Sequence, residues 1–123
     1  MKQFLLVFLG GGLGSVCRFL VGKIYPAGTN LFPWATLSAN FLSCLVFGMV
    51  LMLGVEKINL SYPLKLLLIT GFCGGFSTYS SFTVETIELF KQSHSALAFG
   101  NIVANFVFSV AGLYLGGWLV RLI

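Results

Sequence analysis

Apolar residues fall into four long runs that leave little of this chain for anything else. They cover approximately residues 4–21, 34–55, 64–90 and 96–120. Each is near the ~20 residues that a helix needs to cross a bilayer. The links are short, and the first holds the turn-like stretch YPAGTNLFP. Nothing remains for a soluble domain, and no internal repeat or low-complexity tract appears. Of the 123 residues only 8% are charged and 58% are hydrophobic, whereas a soluble domain carries about 25% charged residues. So few charges cannot cover a particle in water. The expected fold is a single all-α domain over 1–123, with four transmembrane helices in contact with lipid. Lys2 followed by apolar residues resembles the start of a secretory leader. Three more runs follow, and Arg18 interrupts the first before any convincing cleavage site, so that run is read as a retained span.

Charge placement bears on orientation. Four spans put both termini on one face of the membrane. That face would carry Lys2, Lys57, Lys65 and Arg121, and the other Arg18, Lys23 and Lys91, a split of four against three. Orientation normally follows a clear excess of Lys and Arg in cytoplasmic loops. Two outcomes stay open here. The chain inserts both ways up and pairs as an antiparallel homodimer, or a small bias such as that at Lys2 sets one topology. The positive charges form no cluster, so no nucleic-acid partner is expected.

Within the runs, polar residues fall in patterns. GGGLGSVCR (10–18) lacks the strand and acidic residue of a dinucleotide loop. Gly10, Gly11, Gly14 and Ser15 instead make a small-residue packing face. Arg18 near the end of that run either snorkels to the interface or serves as a cation that draws anions or fixes a helix end. Thr36, Asn40, Ser43 and Phe47 share one helix face, and Asn101, Asn105, Ser109 and Gly112 share another. An amide such as that of Asn40 is either interhelical glue or a pair of N–H donors for an anion. Cys17, Cys44 and Cys73 match no metal or redox spacing and read as packing residues. His94 reads as a solvated link residue.

The third run holds GFCGGFSTYSSFTVE (71–85). Gly71, Gly74 and Gly75 each weaken a helix by roughly 1 kcal/mol relative to Ala. A break at these glycines is expected, with freed carbonyls able to coordinate a cation. Phe76, Tyr79 and Phe82 follow at three-residue spacing among Ser77, Thr78, Ser80 and Ser81. Such a stripe is core packing or a pore lining. Amides, hydroxyls and the electropositive edges of rings suit a small anion. A cation pore favours rings of Asp or Glu, and a proton-coupled pump needs a titratable group in mid-membrane. Glu85 and Glu88 fall near the end of the segment, where water is expected to reach them.

Across nearly the whole chain these motifs resemble the Fluc/CrcB-type fluoride channels of microbes. GGGLGSVCRF (10–19) resembles the family's glycine-rich first-helix motif ending in Arg. ATLSANFLSCLVFG (35–48) resembles its second-helix motif, and 71–85 its third-helix break, usually written Thr-Thr-Phe-Ser-Thr-Phe. The resemblance implies a third helix broken in mid-membrane and a dual-topology antiparallel homodimer of four-helix subunits. It implies two pores, each lined by both subunits, and passive fluoride export across the cytoplasmic membrane. It also implies a structural sodium ion at the dimer centre, held by main-chain carbonyls of Gly74 and Ser77. The pore asparagine would be Asn40, the pore aromatics Tyr79 and Phe82, and the polar track Ser80, Ser81 and Ser109. Glu85 matches a vestibule acid and Arg18 the motif arginine. Tyr79 departs from the family's usual Phe, keeping the ring edge and adding a hydroxyl that bears on the rate more than on the ion. Ser77 and Ser81 replace the usual threonines.

Two other readings compete. A small multidrug exporter has the same size and often dual topology, but it needs an acidic residue in the first span, and none is present. A non-transporting structural membrane subunit needs no broken helix. An enzyme is not expected, since no nucleophile–base pair or metal-ligand set stands out.

Overall fold

A computed structural model describes residues 1–26, 28 and 30–123, without the side chain of Lys57. All its regular structure is helical among the described residues. Helix α1 spans Lys2–Ile24. Helix α2 spans Trp34–Met52 and runs on through a π-helical stretch, Leu53–Lys57. Helix α3 (Tyr62–Lys65), a π-helical stretch (Leu66–Cys73) and α4 (Gly74–Phe76) form one continuous rod. After two extended residues come α5 (Tyr79–Lys91) and then α6 (Ser95–Arg121). Among the described residues, three helices are long and apolar enough to cross a membrane: Lys2–Ile24, Trp34–Glu56 and Ser95–Arg121. The remaining run is cut in two, so neither half has that length.

Two close helix pairs build the body, and glycines set both. In α1, Gly10 and Gly14 are buried. A Cβ at Gly10 would strike the Leu67 carbonyl, and one at Gly14 the Phe72 carbonyl. Gly71 and Gly75 return the contact against the backbone of Gly10 and Gly11. In the second pair, Gly48 of α2 meets the Leu113 carbonyl, while Gly112 and Gly116 of α6 meet those of Phe41 and Leu45. Small residues let membrane helices approach to backbone contact, where dispersion and weak polar contacts hold them. Helix α5 lies mainly against α6.

This assigns the third-run glycines a different role from the one expected. Gly71, Gly74 and Gly75 all lie inside helix, and the chain breaks after them, at Ser77 (φ −72°, ψ 157°) and Thr78 (φ −148°, ψ 116°). The stop comes from side chains that compete for backbone groups. Thr78 caps α5 by accepting from the Ser81 N–H, and Asn40 takes the Thr78 N–H.

Polarity is arranged inside out. Phe4, Phe8, Phe99 and Phe106 are exposed on the flanks, while Thr36, Ser43, Thr78, Thr86, Asn101 and Asn105 are buried. Each of these buried polar side chains hydrogen-bonds inside the bundle. That is the pattern of a molecule whose surroundings are apolar, where unpaired polar groups are expensive.

Candidate functional site

The break at Ser77 and Thr78 organises everything near it. In an unbroken helix the Thr78 N–H would bond the Gly74 carbonyl and the Ser81 N–H the Ser77 carbonyl. Here Thr78 N–H donates to Asn40 Oδ1 at 2.8 Å, and Ser81 N–H to Thr78 Oγ1 at 3.2 Å. Thr78 Oγ1 also donates to Ser81 Oγ at 3.1 Å and lies 3.2 Å from Ser80 Oγ. Arg18 Nη1 reaches the Ser77 carbonyl at 3.4 Å. Arg18 is half-buried, and this contact sets it at the helix end. The Cys73 carbonyl accepts from the Ser43 and Ser77 hydroxyls at 2.9 and 3.0 Å.

Behind Asn40 runs a line of amides. Asn40 Nδ2 donates to Asn105 Oδ1 at 2.9 Å, and more distantly to the Thr78 carbonyl at 3.4 Å. Asn105 Nδ2 donates to Asn101 Oδ1 at 2.8 Å and to the Asn101 carbonyl at 3.1 Å. Asn101 Nδ2 donates to Thr86 Oγ1 at 2.9 Å, and Thr86 Oγ1 to the Phe82 carbonyl at 2.7 Å. Sequence reasoning offered both Asn40 N–H groups to an anion. The structure engages both inside the protein, one of them by a long and therefore weak bond. The cause is the backbone break, because Thr78 N–H claims the Asn40 oxygen and turns its nitrogen toward α6.

The expected site residues divide between two grooves. The first has a volume of 360 Å³ and is lined by Asn40, Tyr79, Phe82, Ile102, Asn105, Phe106 and Ser109. It gathers four expected residues from α2, α5 and α6. The rings of Tyr79 and Phe82 lie 5.6 Å apart, tilted by 49°. Tyr79 is 80% exposed, so this side of the groove is open. Ser109 makes no hydrogen bond among the described residues and is a ready donor. The second groove, also 360 Å³, is lined by Ser15, Arg18, Phe19, Gly22, Ala35, Thr36, Thr78 and Ser81. Ser81 therefore lies with Arg18, apart from Ser109, and the exposed Ser80 lines neither groove. The Thr78 hydroxyl lies within hydrogen-bond distance of both the Ser80 and the Ser81 hydroxyls.

Glu85 departs from the solvated residue its position suggested. It is half-buried, its Oε1 accepts from Thr36 Oγ1 at 2.7 Å, and its Oε2 is buried without a partner among the described residues. Glu88 is exposed. Sequence reasoning missed Thr36 as the partner of Glu85 and Thr86 as the end of the amide line. A threonine before a helix that restarts was the available signal for the Thr78 cap. For Asn105 it was the four-residue spacing from Asn101.

No group of three or more His, Cys, Asp or Glu side chains is placed to hold a metal among the described residues. The diverted N–H groups leave the Gly74 and Ser77 carbonyls outside the helical ladder, and Gly74 is exposed. Their chemistry fits a monovalent cation held by carbonyl dipoles. Two oxygens from one chain would leave most of its coordination shell to other donors.

Comparison with known proteins adds a family. The model of the family described as "CrcB-like protein, Camphor Resistance (CrcB)" matches residues 5–117. A protein of Phocaeicola vulgatus is 40% identical over 120 residues, covering 97% of this chain and 98% of the relative. A Rhizobium etli protein is 40% identical over 126 residues, covering 98% of each chain. One from Pyrococcus abyssi is 36% identical over 121 residues, with 98% of each covered. All three are named "Fluoride-specific ion channel FluC".

Proposed function

The chain belongs to the CrcB-like family, and on that premise we propose that it is a fluoride channel which lets the ion leave the cell passively. It is then a multi-pass membrane protein and not an enzyme. The observation that carries the reading is the groove in which Asn40, Tyr79, Phe82 and Ser109 meet, in a chain whose relatives are named fluoride-specific channels. A small anion that sheds water needs donors in its place. The Ser109 hydroxyl and the ring edges of Tyr79 and Phe82 offer positive ends of dipoles without a full charge. The Asn40 Nδ2, which reaches the Thr78 carbonyl only at 3.4 Å, is the amide donor that an anion takes over from its present acceptor most readily. Neutral donors bind firmly enough for entry and loosely enough for exit.

The finer assembly belongs to the same proposal. Ser109 in this groove has no hydrogen-bond partner among the described residues, and the open side at Tyr79 calls for a cover. A second copy in the opposite orientation supplies one. It completes two pores and makes the residues 62–91 a fourth span broken in mid-membrane. The near-even charge on the two faces supports insertion both ways up. The carbonyls of Gly74 and Ser77, doubled across a two-fold axis, would give a sodium ion four oxygens and fix the dimer. Arg18 would steady the Ser77 end of that break, with Glu85 at the pore entrance. The cell membrane is the expected location.

Purified protein in liposomes tests the function. Vesicles loaded with fluoride should empty fast on opening an electrical path, while matched chloride-loaded vesicles stay full. Retention of fluoride by vesicles holding well-folded protein sinks the reading.

A further inference from the structure

Thr78 N–H is a backbone donor and can only donate, and this sets the polarity of the line of amides from its front end. Asn40 must present oxygen to Thr78, so its nitrogen meets Asn105. Asn105 presents oxygen in turn, and its nitrogen meets Asn101. Asn101 then donates to Thr86, whose own proton goes to the Phe82 carbonyl. The line is pinned at both ends by main-chain groups. Those ends, Thr78 N–H and Phe82 C=O, bracket the stretch that carries Tyr79 and Phe82. Asn101 is fully buried and Thr86 nearly so, and neither lines the groove.

We propose that Thr86 and Asn101 are positioning residues of the pore. They hold the amide orientation of Asn40 and Asn105, two residues of the groove wall, from a site the ion never touches. This rests on the channel reading above. Without the Thr86 oxygen, Asn101 Nδ2 loses its acceptor and the Asn101 amide is free to turn. Asn105 Nδ2 then keeps only one of its two acceptors, the Asn101 carbonyl at 3.1 Å, and the Asn105 amide that meets Asn40 is held less firmly. Amide oxygens that turn into the groove oppose an anion, since they carry lone pairs where N–H groups are needed. A polar cluster that only packs helices would affect stability and leave the orientation of Asn40 unread by the ion.

The test uses the full chain, labelled with ¹⁵N-asparagine, and follows the Asn40 side-chain NH2 signal, assigned by its loss in Asn40→Ala. Thr86→Val removes the oxygen at nearly constant volume, and Thr86→Ser keeps it. Thr86→Val should move the Asn40 signal and slow fluoride efflux from liposomes roughly tenfold, about the effect of one lost hydrogen bond to an ordered group. Thr86→Ser should return both close to wild type. Thr86→Ala takes the place of Thr86→Val if the latter does not fold. An Asn40 signal unmoved by loss of the oxygen overturns the proposal. So does a moved signal with unchanged efflux, or an equal slowing in Thr86→Ser. Wild-type protein that passes no fluoride overturns the channel reading instead, and the amide signal, read without any flux, keeps that result distinct.

Discussion

Asn40 and Ser109 line the same groove yet sit in opposite situations. Asn40 makes three hydrogen bonds, to Thr78 N–H, Asn105 and the Thr78 carbonyl. Truncating it strands a buried backbone donor, so Asn40→Ala should lose about 1–3 kcal/mol of stability as well as fluoride flux. Ser109 has no internal partner among the described residues, and Ser109→Ala should stay within about 0.5 kcal/mol of wild type while flux falls. Thermal unfolding in detergent beside liposome efflux separates the two. Ser109 suffering the larger stability loss would contradict this assignment. At this scale the sequence was legible in kind and not in orientation. Spacing put Asn40 and Ser109 on polar faces and Phe82 on an aromatic stripe. The commitment of both Asn40 N–H groups was hidden, because it follows from one backbone donor 38 residues away in sequence.

At the level of elements, glycine had two meanings that sequence alone does not separate. It loosens a helix, and it admits another backbone. Gly71 and Gly75 serve contact with α1, and a threonine caps the helix that follows the break. Only the facing helix distinguishes these roles. Gly14→Ala and Gly116→Ala should therefore each lose roughly 1–3 kcal/mol through overpacking. Gly22→Ala, where a Cβ meets nothing within 4 Å, should be neutral or slightly stabilising. Equal unfolding temperatures for Gly14→Ala and Gly22→Ala would contradict the close pairing. Thr78→Val should lose about 1 kcal/mol with its cap, and Thr78→Ser should keep most of it. Loss of equal size in both would remove the cap from the account of the break.

For the whole molecule, composition announced the solvent before any motif did. The exposed flanks of phenylalanine and the buried amides are what a chain with 8% charged residues must build in lipid. The open side at Tyr79 is where the proposed second copy would sit, and the fit of the two lies outside a single chain. The balanced charges lead to a specific expectation. A C-terminal reporter active on one side only should register the chain in comparable amounts on both sides of the membrane. Extra lysines beside Lys2 should drive it to one side and reduce fluoride efflux, because an antiparallel pair needs both orientations. Full efflux from a chain inserted one way only would contradict the antiparallel assembly.

The most direct test of the central claim, that fluoride passes the groove at Asn40, Tyr79, Phe82 and Ser109, is fluoride efflux from liposomes holding wild-type or Phe82→Ile protein at equal amounts of folded material. The account predicts rapid loss through the wild type and retention in Phe82→Ile, whose side chain has no ring edge to offer the anion. Equal loss from both would place the ion's path elsewhere in the molecule.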